Sequence, residues 1–215
     1  MNKIILSVSK NESKNFLDLN EASKSKLVKK HNSKCAACAV DISDYHHFHE
    51  EGSKIIPLCP LCYYPLHIDK IVSKIPGQVI LLPEMTQIEL NATLRAMEYI
   101  KIKRSEFATA MKDDYAEVAD AIDIIEVLLK ERADLADTYY SEGISNINLL
   151  SQVLFALSDD DYDKRETGLY GLKFMHNMSN YTKEMKSWDI ELSKYKPEVW
   201  KRMIKKVAES QKWLD

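Results

Sequence analysis

The sequence predicts an α+β protein that is mostly helical, in which a small ββα module held by four cysteines precedes a helical region. Two C-x2-C pairs lie twenty residues apart and enclose a segment with two strand-like ends. Beyond residue 83, apolar side chains recur with the spacing of α-helices. We therefore expect the ββα module with an N-terminal strand in residues 1–83 and a helical region packed on it in residues 84–215. The two parts could also form one compact domain.

The paired cysteines indicate a metal site. They are all the cysteines of the chain, namely Cys35, Cys38, Cys59 and Cys62. Zinc takes four ligands tetrahedrally, and a two-residue spacer lets one tight turn offer two thiolates to the same ion. The alternatives are two disulfides or four free thiols. Disulfides are typical of small secreted domains, and the N-terminal segment is too short for a secretion signal. We predict one zinc ion and a cytoplasmic location, where thiols stay reduced.

Charge and hydropathy argue against two classes of partner. The 215 residues carry a net charge of −3, so no global basic field attracts nucleic acid or anionic lipid. Residues 79–180 hold 10 basic and 19 acidic side chains, which form an acidic block suited to solvent or to a basic protein partner. No apolar run approaches the ~20 residues that span a bilayer. We predict no nucleic-acid partner and no membrane insertion.

The first module contains five predicted elements. A strand is expected in residues 1–9, and a helix is expected from Asn20, as its N-cap, to about His31. Between the cysteine pairs, two short strands flank a turn at Gly52, which gives a zinc-clasped β-hairpin. After the last cysteine, Pro65 suits the first turn of a helix that reaches about residue 71.

Several histidines accompany the cysteines. His46 and His47 are neighbours on a predicted strand, so they point to opposite faces, and at most one of them shares a face with His49. Each is expected to be packed or hydrogen-bonded, and one could donate a hydrogen bond to a zinc-bound sulfur. His67 is expected on a helix surface. His176 is expected far from the cysteines, in a helix rich in methionine.

Downstream, a short buried strand is predicted at residues 78–82, ended by Pro83. Thr86 and Glu89 then form a capping box for a helix that ends near Arg104. A further helix is predicted for residues 105–140. Its core face consists of Val118, Ile122, Ile125 and Leu129, and we expect Ile124, Leu128 and Leu135 to widen that face.

The last third is also expected to be helical. Gly143 ends the preceding helix, residues 144–157 are apolar, and Asp159–Asp161 suit a helix cap and first turn. Aromatic and thioether side chains then form a stripe that suits a core or an adaptable partner groove. They are Phe174, Met175, Met178, Tyr181, Met185 and Trp188. Pro197 opens a final predicted helix containing Trp200.

The clasped hairpin followed by a helix resembles the HNH nuclease family. That resemblance implies a catalytic hairpin histidine, matched by His46 or His47, beside further metal-holding residues. This chain has Lys54 near the place of the family's asparagine and Tyr63 where histidine or asparagine is expected, while His67 comes four residues later. The resemblance therefore implies a nuclease-like scaffold without catalysis, in which His46 and His47 are remnants of the site.

A second resemblance is more specific. The run Pro57–His67, the strand-Pro-Glu-helix segment Gln78–Asn91 and the pair Arg95–Ala96 resemble the DotN (IcmJ) family of the Dot/Icm type IVB secretion system. The likeness is strongest over residues 35–104 and weaker over the helical remainder. It implies a soluble adaptor that binds the C-terminal extension of the coupling ATPase DotL and meets other coupling-complex subunits, peripheral at the inner membrane.

Two functions therefore remain open from the sequence. The first is a non-enzymatic zinc-containing adaptor of a coupling complex, which the acidic block and the departures from the HNH pattern favour. The second is a metal-dependent HNH-type endonuclease acting on DNA. For the adaptor we expect the helical region to bind an extended or helical segment of its partner, since its apolar side chains exceed what a short helix pair can bury.

Overall fold

The computed structural model describes residues 4–10, 19–71, 77–112, 114–192, 198–199 and 202. The described helices are α1 (Glu21–Lys30), α2 (Pro60–Tyr63), α3 (Gln87–Ile102), α4 (Arg104–Met111), α5 (Asp114–Tyr139), α6 (Ile147–Ala156), α7 (Asp159–Asp163), α8 (Arg165–Gly168) and α9 (Thr182–Leu192). The described strands are β1 (His47–Glu51), β2 (Lys54–Leu58), β3 (Gly77–Leu81) and β4 (Leu172–His176). The mostly helical α+β class is confirmed.

The predicted hairpin is present. β1 and β2 pair antiparallel from His47 opposite Leu58 to Glu51 opposite Lys54, and Gly52 turns the chain at a φ of +60°. Such a left-handed conformation suits glycine, which has no Cβ to clash with the backbone. Before the hairpin, α1 begins at its predicted N-cap, where the Asn20 side chain accepts from the Ser23 amide.

The helix predicted after the second cysteine pair is wrong in start and length. α2 begins at Pro60 and lasts one turn, and 3-10 turns follow at Tyr64–Leu66 and Ile68–Lys70. The reason is Pro65, which lacks the amide that an α-helix would donate to the carbonyl of Leu61. The Leu61 carbonyl is therefore left open to side chains from elsewhere in the fold.

The predicted N-terminal strand is also wrong, as far as its described residues show. Residues 4–10 form no strand, although Ile4, Leu6 and Val8 are buried. The Ser7 amide donates to the carbonyl of Pro65, and the Ile68 amide donates to the carbonyl of Ser7. The partner segment is made of 3-10 turns, so it cannot continue this pairing into a ladder. The predicted residues 1–3 lie outside the described residues.

A second pair of antiparallel strands, far apart along the chain, joins the two predicted parts of the chain. β3, predicted to within one residue, pairs antiparallel with β4 from Gly77 opposite His176 to Leu81 opposite Leu172. β4 replaces the helix predicted for His176. Its burial is nearly continuous, with Leu172, Phe174, Met175 and His176 all buried, so the alternation that marks a half-exposed strand is missing.

The long predicted helix over residues 105–140 is two helices. α4 and α5 meet at Lys112, whose φ is +50°. The predicted core face is confirmed, since its four side chains are 1–4% exposed. The predicted widening is wrong, because Ile124, Leu128 and Leu135 are 59%, 37% and 43% exposed. α5 thus carries apolar side chains on two different faces.

The aromatic and thioether stripe lies in the core. Phe174, Met175, Met178, Tyr181, Met185 and Trp188 are all buried, and most of them belong to the same apolar cluster as Cys35, Cys59 and Cys62.

Ser158 caps α7, and the three aspartates occupy its first turn as expected. The final predicted helix, with Trp200, falls largely outside the described residues. Every described helix is too short or too polar to cross a bilayer.

Candidate metal centre

Two backbone turns present the four cysteines. In the first, the Cys35 amide donates a hydrogen bond to the Val40 carbonyl, and the Ala39 amide donates one to the Cys35 carbonyl. Ala39 has a φ of +60°. In the second, Cys59 is the N-cap of α2, and its carbonyl accepts from the amides of Cys62 and Tyr63. Both turns fold their cysteines towards one point.

The sulfurs lie at the distances of a tetrahedral metal site. All four Sγ atoms lie within 4.8 Å of one another, and the Cys38 and Cys59 sulfurs are 3.6 Å apart. Ligands at 2.3 Å around zinc would place sulfurs roughly 3.8 Å apart. The cysteines are free thiols, so the disulfide alternative is wrong. Cys35, Cys59 and Cys62 are buried and Cys38 is half-buried, which leaves the cluster little contact with water.

The electrostatics of the cluster favour a cation. Hydrogen bonds from Cys38, Cys59 and Cys62 lower the pKa of the Cys35 thiol, whereas burial raises the pKa of Cys59 well above its usual range. Several thiolates cannot lie side by side in a buried site without compensation. A divalent ion supplies that compensation and deprotonates its thiol ligands. The donor set therefore fits a bound metal, with these four side chains as ligands.

The open carbonyl of Leu61, inside the second turn, accepts two side-chain hydrogen bonds. The Asn91 Nδ2 atom donates to it at 2.7 Å, and the His176 Nε2 atom donates to it at 3.0 Å. Asn91 Nδ2 also approaches the Cys62 sulfur at 3.9 Å. Asn91 comes from α3 and His176 from β4, so the metal turn is held by two elements of the helical region.

Two further buried side chains complete this arrangement. Gln87 Nε2 donates to Asn91 Oδ1 at 2.9 Å and to the Phe174 carbonyl at 2.8 Å, and Gln87 Oε1 accepts from the Phe174 amide. The Tyr181 hydroxyl donates to His176 Nδ1 at 2.7 Å. Burial lowers the pKa of His176 to about 3, which keeps the ring neutral and able to accept at Nδ1. We call Gln87, Asn91, His176, Tyr181 and the Leu61 carbonyl the knuckle network.

The sequence predicts neither Gln87 nor Asn91 as a site residue, and it places His176 in a helix far from the cysteines. One signal was available. Gln87 and Asn91 are four residues apart on the face of α3 that also carries Leu90 and Leu94, so two polar side chains interrupt an apolar face. Buried polar side chains need partners, but the sequence does not say which carbonyl supplies one.

His46 is hydrogen-bonded and His47 is packed on an aromatic ring, which is the role expected for each of them. β1 begins at His47, and His46 precedes it and donates from Nδ1 to the Ile42 carbonyl at 3.1 Å. The His47 ring stacks on Tyr63 with centroids 4.4 Å apart, and burial lowers its pKa to about 4. Within the described residues, neither histidine hydrogen-bonds to a cysteine sulfur, whereas Asn91 does.

His67 is buried, which corrects its predicted place on a helix surface. Its Nε2 lies 2.9 Å from Nδ1 of His49, and its Nδ1 lies 2.8 Å from Oγ of Ser9. The Ser9 amide donates to Oδ1 of Asp69 at 2.8 Å. The Tyr63 ring stacks on His67 as well as on His47. These contacts fasten the N-terminal segment and β1 to the chain that follows the second cysteine pair.

Neither the protein-family models nor the curated proteins contain a match to this chain. The resemblance to the DotN family therefore stays a prediction.

Proposed function

We propose that the chain is a non-catalytic adaptor subunit of a type IVB secretion coupling complex, with one structural zinc ion bound by Cys35, Cys38, Cys59 and Cys62. One observation carries the structural role of the metal. Four protein sulfurs surround one point, so a tetrahedral ion has no position left for water or substrate. Catalytic zinc sites keep such a position open, whereas closed four-cysteine sites stabilise folds.

The surroundings of the metal support the same role. The knuckle network ties the second cysteine turn to α3 and β4, and three of the cysteines belong to the main apolar cluster. A rigid clasp between a small module and a helical body is suited to presenting a binding surface. The partner in this proposal is the C-terminal extension of a DotL-like coupling ATPase, as the family resemblance implies. That partner would hold the adaptor at the cytoplasmic side of the inner membrane.

The metal part is tested by analysis of the purified chain. We expect one zinc ion per chain, and we expect a Cys59→Ser variant to lose the ion and to melt at a lower temperature, since structural zinc binding is largely folding energy. A zinc content well below one per chain, or unchanged melting of the variant, would contradict a structural zinc.

The adaptor part is tested by co-expression with the coupling ATPase of the same genome. We expect the two proteins to purify together, and we expect deletion of the ATPase's C-terminal extension to abolish the complex. Failure of the intact ATPase to bind, or equal binding after the deletion, contradicts the adaptor assignment.

A metal-dependent HNH-type endonuclease is the second candidate, and a specific arrangement favours it. His47, Tyr63 and His67 stack in a row, and His49 contacts His67, so three histidines gather on one side of the hairpin. General-base catalysis requires a histidine oriented by a partner. For the adaptor we expect no nicking of supercoiled plasmid above background with Mg²⁺ or Mn²⁺. Cleavage that is lost in His46→Ala or His47→Ala would establish the nuclease instead.

A further inference from the structure

Helix α5 presents a second apolar face to solvent. Its first face packs into the core through the four side chains named above. Its second face, here called the α5 stripe, consists of Ile124, Val127, Leu128 and Leu135, which are 59%, 53%, 37% and 43% exposed. A surface helix of a globular protein ordinarily has one apolar face and one polar face. The stripe is therefore surface that the described fold does not use.

The stripe has the geometry of a helix-binding surface. Ile124, Leu128 and Leu135 follow one another at intervals of four and seven residues, so they lie on successive turns of one side of the helix. At 1.5 Å per residue they cover roughly 16 Å along the axis. At 3.6 residues per turn, Ile124, Leu128 and Leu135 lie roughly a third of a turn from the buried face, and Val127 lies roughly half a turn from it.

Carboxylates line one edge of the stripe. Asp120, Asp123, Glu131 and Asp134 are exposed, and none of them forms an ion pair with a basic residue that the structure describes. The basic side chains of α5 are engaged elsewhere, because Lys130 pairs with Glu126 and Arg132 pairs with Glu84. The edge therefore has a net negative charge beside an apolar surface.

We propose that the α5 stripe is the docking surface for a basic amphipathic helix of a partner protein. Leucine-type side chains of such a helix would bury the stripe, and its lysines or arginines would face the carboxylate edge. A second copy of this chain would bring acidic edges together, which disfavours self-pairing. This inference rests on the proposed adaptor function and assigns a surface and a chemistry to its partner.

Two synthetic peptides of about three heptads probe the stripe, both with leucine at positions a and d. One carries lysine at the other exposed positions, and the other carries glutamate. Fluorescence anisotropy with the full chain should show that the lysine peptide binds at least about tenfold more tightly. An Ile124→Ser, Leu128→Ser double variant should weaken that binding at least about tenfold. An Asp123→Asn, Asp134→Asn variant should weaken it less and flatten its salt dependence.

A matched control is available on another helix. Phe155 of α6 is 45% exposed, so Phe155→Ser removes a similar apolar surface outside the stripe and should leave peptide binding unchanged. All three variants change exposed residues, and their melting temperatures should stay close to that of the unaltered chain. Equal affinity for the two peptides, or equal losses of binding in the Ile124→Ser, Leu128→Ser variant and in the Phe155→Ser variant, overturns the proposal.

Two further outcomes separate this inference from the proposed function. If sedimentation shows dimers of the chain alone, and the Ile124→Ser, Leu128→Ser variant is monomeric, a second copy covers the stripe and the proposal is wrong. If equal amounts of the coupling ATPase purify with the unaltered chain and with the stripe variant, the adaptor function is supported and the surface assignment is wrong. If the lysine peptide binds the stripe more tightly than the glutamate peptide while no ATPase is captured, the surface assignment is supported and the adaptor function is wrong.

Discussion

Replacing Asn91 with alanine tests whether the knuckle network holds the metal turn. The substitution removes the 2.7 Å hydrogen bond to the Leu61 carbonyl and the 3.9 Å contact with the Cys62 sulfur. It also leaves one N–H of buried Gln87 without its acceptor, because the other N–H is bonded to the Phe174 carbonyl. The Leu61 carbonyl itself keeps its hydrogen bond from His176.

The expected loss follows from those contacts. A hydrogen bond between neutral groups contributes about 1 kcal/mol, and a buried donor left unpaired costs about 1–3 kcal/mol. The free energy of unfolding at saturating zinc should therefore fall by about 2–4 kcal/mol. Zinc affinity should fall about 10–100-fold, as is typical when a group that orients a metal ligand is removed.

Urea unfolding with excess zinc measures the first quantity, and competition with a chromogenic chelator measures the second. Asn148→Ala is the matched control, since Asn148 is exposed on α6 and should change the stability by less than about 0.5 kcal/mol. A loss below about 1 kcal/mol for Asn91→Ala, with zinc affinity unchanged, would refute the argument that this side chain secures the second cysteine turn.

Three further predictions concern stability. A Cβ at Gly77 would lie 2.4 Å from the Phe174 ring and 2.6 Å from the Met175 carbonyl. Gly77→Ala should therefore lower the free energy of unfolding in urea by more than about 2 kcal/mol. Gly168 is helical with open space around it, so Gly168→Ala should be neutral or stabilising by up to about 1 kcal/mol. If the two alanines have equal effects, the close approach of β3 and β4 is wrong. Thr86→Ala should cost about 1 kcal/mol because it removes the hydroxyl that accepts from the Glu89 amide; an unchanged urea midpoint would contradict the capping box. Burial lowers the pKa of His67 to about 3, while an unfolded histidine titrates near pH 6.5, so the unfolded chain binds more protons at mildly acidic pH and stability should fall by about 1.4 kcal/mol per pH unit below about pH 6.5 for this residue. The slope between about pH 6.5 and 5.5 should be shallower in His67→Gln, and an identical slope would show that this ring does not stay neutral in the fold.

Local chemistry explains why parts of the fold could be predicted. The four cysteines, the turn at Gly52 and the Thr86 capping box are patterns in which a few neighbouring residues carry both the signal and the structure. The core face of α5 was predictable for a similar reason, because an amphipathic period of 3.6 residues records which side of a helix is buried.

Local chemistry also explains two errors. Pro65 suits the first turn of a helix, but here it follows α2 and interrupts the backbone ladder, and no short pattern distinguishes these two positions. Ile124, Leu128 and Leu135 are apolar and recur with helical spacing, although they lie about a third of a turn away from the buried face, so spacing alone predicts that they widen the core face. Their exposure depends on which elements pack against α5 and where those elements end.

The sequence by itself determined the four-cysteine pattern, the hairpin between the two pairs and the helix caps, because each C-x2-C pair, hairpin turn and cap depends on residues within a few positions of one another. Only the tertiary structure decided that Asn91 and His176 meet at the carbonyl of Leu61, since these residues are 30 and 115 positions away from it along the chain. The same holds for β4, whose pairing with β3 is what makes Leu172–His176 a strand. Contacts at such separations depend on how the whole core packs, and packing leaves no local pattern from which they could be predicted.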